Sequence, residues 1–401
     1  MEATDPTPAR RPARTALAPP EHDRDEYVLV GGGLQNALLA LVLLERRPLT
    51  RLTLIERQPR LGGNHTWSFH ESDVPAEARP LMDQLAVRRW AAHEVAFPGH
   101  QRRVNGAYAA LTSDSLHRYL SERIARSPHA RVITGVALDI RGHAVTLDSG
   151  QSLRAELVVD ARGPEHTVAR GGYQKFVGLE LELAPGTGPT LPMLMDATVP
   201  QLDGFRFVYC LPWSETRVLV EDTYYSESPS LDAAALRSRV LEYAERRGMA
   251  VRAVVREESG VLPIPARLEL SRATTGPLVA GYAGALFHPT TGYSLPVALR
   301  FALHLAARPA REARGPAYTR WLDRHARQVR FCLRLNRLLF EAFPPEQRVH
   351  VLERFYRLPE STIRRFYALE TSAGDRLRIL CGPPPRGFSA RRWLAGGVSH
   401  E

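Results

Sequence analysis

The chain has 401 residues, a formal net charge of +10 and three widely separated cysteines, Cys210, Cys332 and Cys381. This spacing excludes a disulfide framework and a cysteine-based metal centre, and no metal site is expected. No apolar stretch reaches the roughly 18–20 residues that a membrane-spanning helix needs, and the Pro-rich start lacks the apolar core of a signal peptide. Neither secretion nor a transmembrane anchor is therefore expected. The length predicts two domains, or one large domain with an inserted layer.

A predicted strand–helix–strand unit follows the Pro-rich start. Its parts are strand 27–30, the loop Gly31-Gly32-Gly33, helix 37–44, strand 52–55 and then Glu56. Glycines in such a loop let the backbone approach a pyrophosphate, and an acid after the second strand usually holds a ribose hydroxyl. Asn36 replaces the third glycine of the fingerprint, which predicts loose helix–strand packing. The unit predicts a dinucleotide cofactor, with an ordinary Gly-rich turn as the alternative.

A second Gly- and Pro-containing loop, residues 287–296, separates the short apolar run 278–281 from a predicted helix over 295–307. The free N–H groups and partial positive charge of a helix start suit an anion. That anion is either a phosphate or the N1/O2 edge of a reduced flavin, and a plain turn is the alternative. The predicted strand 156–159 leads into Asp160, at the kind of position where doubly wound sheets hold cofactors.

The remaining patterns predict an α/β fold with a second, β-rich layer and C-terminal helices. The predicted segments are a disordered tail over 1–24, a cofactor-binding domain over 25–172 with a small insertion around 71–110, an antiparallel substrate domain over 173–250, a return segment of the cofactor domain over 251–305, a helical region over 306–385 and a tail over 386–401.

Positive charge is concentrated near the C-terminus, because residues 300–370 contain 15 Arg against 7 Asp or Glu. A basic region binds nucleic acid, an anionic membrane or nothing. No zinc-finger or RNA-binding signature accompanies it, so no nucleic-acid partner is expected. Residues 318–340 predict a basic amphipathic helix. The pattern alone favours packing on the core with a solvated Arg face over contact with anionic lipid.

Two adjacent acids, Glu221 and Asp222, end the strand-like run 217–220. Neighbouring strand residues point to opposite faces, so only one acid can enter a pocket between layers. A carboxyl group among the nearby aromatic residues would have its pKa raised by desolvation and could act as a general acid. The alternative is an ordinary surface strand end.

These features together resemble the bacterial-type lycopene beta-cyclase family, flavoproteins of carotenoid biosynthesis. The resemblance runs in order from about residue 26 to 385, through the segments 31–33, 62–69, 174–180, 203–209, 221–223, 287–296, 354–359 and 379–382. It implies a Rossmann-type FAD-binding domain and a β-sheet substrate domain. One departure is the pair Gly281-Tyr282, because related flavoproteins often place Asp after this glycine, on the ribityl chain.

Site residues follow from the resemblance by position. Glu221 matches the acid of a Glu-(Asp/Glu)-Thr motif and is expected to be the proton donor or cation stabiliser, with Asp222 as its partner. His288 is expected as a base or part of the flavin wall, with simple packing as the alternative. The expected cofactor contacts are Gly31, Gly32, Gly33, Glu56, Gly63, Asp160, Gly284, Pro289, Thr290 and Gly292.

The implied reaction is a cyclisation of the acyclic ψ-ends of lycopene to β-rings without net redox change. The resemblance implies reduced FAD as the active cofactor, NAD(P)H as a priming reductant, peripheral association with the cytoplasmic side of the membrane, and contact with other carotenoid-biosynthesis enzymes. Two alternatives stay open at this point: a flavin oxidoreductase, either a hydroxylase or an isoprenoid reductase, and a non-enzymatic carotenoid- or flavin-binding protein. The number of ends cyclised, the ring isomer, the physiological reductant and the oligomeric state stay open as well.

Overall fold

A computed structural model describes residues 25–163, 170–272 and 275–391 of the chain. The tail predicted over 1–24 and residues 392–401 of the predicted C-terminal tail lie outside the described residues.

Helices are interspersed among the strands in the N-terminal part of the described chain, a run of strands over residues 130–226 occupies the middle, and helices occupy the C-terminal part. The strands are β1 (Glu26–Val30), β2 (Arg51–Glu56), β3 (Thr66–His70), β4 (Arg88–Phe97), β5 (His100–Thr112), β6 (Ala130–Thr134), β7 (Ala137–Ile140), β8 (Ala144–Leu147), β9 (Ser152–Arg154), β10 (Leu157–Asp160), β11 (Gly171–Leu183), β12 (Met193–Asp196), β13 (Phe205–Ser214), β14 (Arg217–Ser226), β15 (Val251–Pro265) and β16 (Leu278–Val279). The helices are α1 (Leu34–Arg46), α2 (Arg79–Leu85), α3 (Ser113–Ala125), α4 (Ala233–Arg246), α5 (Leu295–Ala306), α6 (Pro316–Ala342), α7 (Arg348–Phe355), α8 (Glu360–Tyr367) and α9 (Ala373–Leu380).

A parallel sheet in the order β16-β10-β1-β2-β6 forms the first layer. Its central strand is buried along Tyr27–Val30, as expected for a parallel strand covered on both faces. Helix α1 packs against α5 over this sheet, which explains why it is apolar over most of its surface. The predicted strand–helix–strand unit and its Rossmann-type arrangement are confirmed.

Asn36 does not loosen this packing, so that expectation was wrong. Its side chain is fully buried, and Nδ2 donates to the carbonyl oxygens of Val30 at 2.9 Å and Gly31 at 3.0 Å. The amide therefore ties the start of α1 to the end of β1 in place of the close approach that a third glycine allows.

The second sheet is larger than predicted and is mixed. Its order is β15-β11-β14-β13-β12-β4-β5-β3, and the pair β12–β4 is parallel while its other pairs are antiparallel. The expected small insertion around 71–110 thus supplies strands to this sheet. Likewise β15 pairs with β11 along its length, so residues 251–265 lie in the second sheet and not in the cofactor layer. These differences arise because partner choice depends on long-range register, which local alternation does not encode.

The two faces of the second sheet have different partners. Residues such as Val177, Val218 and Val220 form a core with α4 on one face. Residues of the other face, such as Phe207 and Tyr225, pack with the C-terminal helices. The side-chain alternation along β14 therefore decides which of its acids reaches the space between the layers.

The C-terminal region is helical, as predicted. Within α6 the expected stripe is buried, comprising Tyr318, Leu322, His325, Val329, Cys332, Asn336 and Leu339, while Arg320, Arg324, Arg327, Arg330 and Arg334 are exposed. Part of the predicted final tail is instead docked, because Phe388 packs on Phe343 and Ser389 N–H donates to Ala342 O. Among the described residues, every helix is too short or too polar to span a bilayer.

Candidate active site

A cavity of about 270 Å³ lies between the inner face of the second sheet and the loop that precedes α5. Aromatic side chains make up much of its wall, and Glu221 contributes a carboxyl group. The lining residues are His65, Thr66, Trp67, Ser68, His70, Tyr108, Gln174, Phe176, Leu194, Met195, Phe207, Tyr209, Glu221, Tyr225, Leu262, Tyr282, Thr291, Gly292, Tyr293, Ser294 and Tyr367. This is an apolar chamber with one acidic wall.

Glu221 is the acid that faces the cavity. Strand β14 positions it, and its side chain is only 9% exposed. The hydroxyl of Thr223, two residues along the same face, donates to Glu221 Oε1 at 2.6 Å. Burial, and next the charge of Glu258, raise the pKa of Glu221 to about 8. The carboxyl group is therefore protonated at neutral pH and can donate a proton.

Asp222 points to the opposite face of the sheet and is fully buried towards α4. Arg206 holds both of its oxygens, with Nε–Oδ1 at 2.7 Å and Nη2–Oδ2 at 3.1 Å. Tyr224 Oη donates to Oδ2 at 2.9 Å. The structure does not bring Asp222 to the cavity. Its contacts with Arg206 and Tyr224 instead stabilise the opposite face of the strand that carries Glu221.

A hydroxyl cluster forms the cavity wall beside Glu221. Ser68 Oγ accepts from Tyr108 Oη at 2.7 Å and from Tyr209 Oη at 2.6 Å. Tyr209 is directly opposite Glu221 in the β13–β14 pair. Burial raises the pKa of Tyr108 to about 12 and that of Tyr209 well above its usual value, which keeps both phenols protonated. Because Ser68 Oγ accepts both hydrogen bonds, the hydroxyl hydrogen of Ser68 is available to donate to a third group.

Glu258 is a buried acid of this region that sequence reasoning missed. It is 4% exposed, and its Oε2 accepts from Arg256 Nη1 at 2.6 Å and Thr66 Oγ1 at 3.0 Å. In the register of the sheet, Gly178 pairs with Glu221 on one side and with Glu258 on the other. The one available signal was Gly178 itself, since a glycine inside a strand often marks a close approach.

The loop before α5 closes the cavity on the side of the first layer. Tyr282, which stands where related flavoproteins often carry Asp, stacks on Phe287 with ring centroids 4.2 Å apart. Its hydroxyl donates to Gly292 O at 2.6 Å. Gly292 has a φ of +68° and lines the cavity, as do Thr291 and Ser294. Ser294 makes no side-chain cap to α5, so this helix start is available to a ligand.

His288 lies behind this loop and outside the cavity lining. Its Nε2 donates to Phe366 O at 2.9 Å and its Nδ1 accepts from Thr290 N–H at 3.2 Å, so both ring nitrogens are occupied. Burial lowers its pKa to about 3. The structure therefore gives His288 a packing role. Pro289 and Thr290 also turn away, because their polar atoms contact Asn336 and Cys332 of α6.

The glycine loop after β1 has two closely packed positions and one open position. A Cβ on Gly31 would lie 2.9 Å from Ala161 O, and one on Gly32 would lie 2.7 Å from Leu61 Cδ2. A Cβ on Gly33 would meet no atom within 4 Å. Glu56 Oε2 accepts from Gly32 N–H at 2.6 Å, which places this carboxylate beside the loop.

The other residues expected to contact the cofactor, Gly63, Asp160 and Gly284, lie outside the glycine loop. The neighbouring turn is linked to it, since Gly62 N–H donates to Gly32 O at 2.8 Å and Gly63 follows with a φ of +67°. The Asp160 carboxylate is paired with Arg162 at 2.9 Å. Gly284 occupies a tight turn, where a Cβ would lie 2.4 Å from Val279 O, so its role is in the backbone turn.

Gln35, at the start of α1, gives a test of whether a polar ligand fits here. Its Oε1 and Nε2 are both buried and have no hydrogen-bond partner in the described part of the chain. The residue also lies beside Gly281, in the glycine-containing segment between β16 and α5, because a Cβ on Gly281 would be 3.7 Å from Gln35 Cβ. Buried amides normally have partners, so an unpartnered one between two glycine loops fits a polar group bound between them.

Comparison with solved structures identifies the class of fold. A geranylgeranyl bacteriochlorophyll reductase-like protein from Thermoplasma acidophilum aligns over 89% of this chain and 96% of its own, with a TM-score of 0.61 and 13% identity. A probable FAD-dependent monooxygenase from Pseudomonas aeruginosa aligns over 81% and 98%, with a TM-score of 0.58 and 19% identity. The chain thus has the two-layer, Rossmann-type α/β fold of these proteins.

The family is shown by sequence. Residues 26–392 match the profile described as lycopene cyclase protein. A lycopene beta-cyclase from Pantoea ananas is 40% identical over 365 residues, which cover 90% of this chain and 95% of the relative. The chain belongs to the lycopene cyclase family, and the resemblance drawn from its motifs is confirmed.

Proposed function

We propose that this protein is a lycopene beta-cyclase, an isomerase that converts the acyclic ψ-ends of lycopene into β-rings through γ-carotene to β-carotene. The observation that carries the proposal is the protonated, buried Glu221 in an aromatic chamber. The names of the full-length relatives support the substrate. At about 270 Å³ the chamber is slightly smaller than the ~300–1,000 Å³ typical of ligand pockets, so it suits one end of a long polyene at a time.

Glu221 starts the reaction by transferring its proton to the terminal double bond of the ψ-end. The internal double bond attacks the resulting tertiary cation, so one carbon–carbon bond forms and a six-membered ring closes. Loss of a ring proton to a base leaves the new double bond, and atoms and electrons balance without an oxidant. The Glu221 carboxylate, left unprotonated beside the cation, both stabilises it and is placed to accept that proton, which then exchanges with solvent before the next turnover. Phe207, Tyr209 and Tyr225 exclude water, which would otherwise trap the cation.

FAD is the proposed cofactor. The glycine loop and the start of α1 would hold its pyrophosphate, Glu56 a ribose hydroxyl, and the loop before α5 the flavin ring. When bound in its reduced form, FAD would supply negative charge near the substrate cation without net oxidation. The solved proteins that share the fold include FAD-dependent enzymes by name, which supports the proposal.

Gly33→Ala is expected to fold normally but to bind FAD at least about tenfold more weakly, because its Cβ enters only the open space of the loop. Gly31→Ala is the matched comparison. There the Cβ meets Ala161 O and the φ of +92° strains any side chain, so the protein without cofactor should lose about 1–2 kcal/mol of stability. Calorimetric FAD titration and urea unfolding measure the two effects. Unchanged FAD binding by Gly33→Ala would contradict the assignment of the loop.

The pH dependence of the rate follows from the protonation of Glu221. Its pKa is raised to about 8, so the reactive acid form is present at neutral pH and is lost as pH rises through 8. The cyclisation rate should therefore fall about tenfold for each pH unit well above 8, while FAD binding should not follow that curve. A rate that stayed level up to pH 10, measured with saturating lycopene, would exclude Glu221 as the acid.

NAD(P)H is proposed only as the reductant that primes the flavin. A flavin oxidoreductase is the second candidate, and the fold shared with a monooxygenase and a reductase-like protein favours it. An anaerobic assay in liposomes with lycopene, FAD and excess NADPH separates the two. The cyclase forms mono- or bicyclic products without stoichiometric NADPH loss. NADPH consumed in step with a reduced or oxygenated carotenoid would instead establish the oxidoreductase.

We also propose that the protein binds the cytoplasmic surface of the membrane, where the substrate is dissolved, and there meets other carotenoid-biosynthesis enzymes. The exposed arginines of α6 support electrostatic attraction to anionic lipid. Sedimentation with anionic and with neutral vesicles tests this. Equal binding to both at low salt would argue against an electrostatic contact.

A further inference from the structure

We propose that Glu258 is a positioning residue of this site, whose negative charge, set across Gly178 from Glu221, keeps Glu221 protonated. The inference rests on the proposed function only for the use of that proton. The protonation of Glu221 itself can be measured without substrate.

The register of the second sheet places the two acids in one row. Glu258 on β15, Gly178 on β11 and Glu221 on β14 are consecutive cross-strand neighbours. Side chains in such a row project from the same face of the sheet. A residue with a side chain at 178 would stand between the two acids, and its Cβ would also lie 3.3 Å from Leu219 Cδ1, so glycine lets the neighbouring side chains approach closely.

Both acids flank the position of Gly178 closely. A Cβ added to Gly178 would lie 3.2 Å from Glu258 Cγ and 3.5 Å from Glu221 Cβ. Each acid is at least nine-tenths buried, so water screens their interaction weakly. Like charges at short range in such a setting disfavour each other's ionised form.

Arg256 decides which of the two acids ionises first. Its guanidinium contacts Glu258 at 2.6 Å and Glu180 at 3.0 Å, and it also donates to Asn64 and Thr66. Burial raises the pKa of Glu258, but Arg256 opposes that rise and favours the carboxylate. Glu221 has no cation at hydrogen-bond distance among its described contacts, so it is the acid that retains the proton.

The other charged or ionisable groups near the pair come from several elements. They are Asp222 on β14, Arg256 on β15, Glu180 on β11, Tyr209 on β13, Tyr108 on β5 and His65 just before β3. Arg206 neutralises Asp222 on the far face, and the two phenols stay neutral. Glu258 is therefore the anion best placed to act on Glu221.

The test is an infrared titration of the carboxyl band of Glu221 in the purified full-length protein without substrate, with the band assigned by its loss in Glu221→Gln. We expect a wild-type midpoint near pH 8. Glu258→Gln should lower the midpoint by about one pH unit, because it removes a neighbouring negative charge. Glu258→Asp keeps the charge but withdraws it by one methylene, so its midpoint should be intermediate.

Glu257→Gln is the matched control. It removes the same charge one residue away, from a side chain that is 42% exposed and paired with Arg237, and its midpoint should stay within a few tenths of a unit. An unchanged midpoint in folded Glu258→Gln, or in Glu258→Asp if the former does not fold, would overturn the proposal. The alkaline limb of the cyclisation rate should move with the infrared midpoint. A shifted midpoint in a protein that forms no cyclic product would instead refute the proposed function and leave the role of Glu258 intact.

Discussion

Glu221→Gln should lower the rate of lycopene cyclisation by about 10²–10⁴-fold, the range usual for loss of a general acid. Glutamine fills the same volume and its amide oxygen can still accept from Thr223, so the strand and the cavity wall should be preserved. The amide cannot protonate an alkene at neutral pH. Product formation per minute, followed by chromatography under anaerobic conditions, measures the effect.

Two controls separate chemistry from folding in this experiment. FAD affinity of Glu221→Gln should match that of the wild type. Its urea midpoint at neutral pH should not be lower, because folding raises the pKa of Glu221 to about 8 and so costs stability that glutamine does not. Glu257→Gln, which faces the other side of the sheet, should retain nearly full activity. Full cyclisation by Glu221→Gln would exclude Glu221 as the proton donor.

Asp222→Ala should instead act on stability. Removing this carboxylate leaves the Arg206 guanidinium, which is 3% exposed, without its bidentate partner. An uncompensated buried charge typically costs about 3–5 kcal/mol, so the urea midpoint should fall markedly. The loss of activity should follow the loss of folded protein, because Asp222 does not reach the cavity.

The comparison for Asp222 is an exposed ion pair. Asp139→Ala removes the partner of Arg141, where both side chains are more than half exposed, and should cost less than about 1 kcal/mol. If Asp222→Ala kept wild-type stability yet lost cyclisation, Asp222 would belong to the chemistry, as its position beside Glu221 in the family motif first suggested.

Much of the first layer could be predicted from the sequence because its signals are local. The glycine loop, the apolar strand before it and the acid of Glu56 are within 30 residues of one another, and the structure unites them at one sheet edge. The same holds for α6, whose buried stripe follows helical spacing. The alternation of Glu221 and Asp222 was also a local inference, and the structure places them on opposite faces.

The parts of the fold and of the site that the sequence did not predict depend on contacts between distant segments. Nothing local indicates that β15 lies beside β11, and that pairing alone brings Glu258 to Gly178 and Glu221. The roles expected for His288, Pro289 and Thr290 rested on position in a motif. In the structure, hydrogen bonds to α6 and α8 hold these residues on the side of the loop away from the cavity. The contacted residues of both helices lie more than 40 residues further along the chain, so the local sequence does not indicate these contacts.

The most direct test of the central claim is the deuterium content of the product formed in D₂O. If Glu221 transfers a solvent-exchangeable proton to the terminal double bond, each new β-ring should carry one carbon-bound deuterium, and the product should otherwise be isomeric with lycopene. Mass spectrometry of anaerobically formed γ- and β-carotene would then show one and two deuterium atoms. Cyclic product without deuterium, or with added oxygen, would contradict an acid-initiated cyclisation at Glu221.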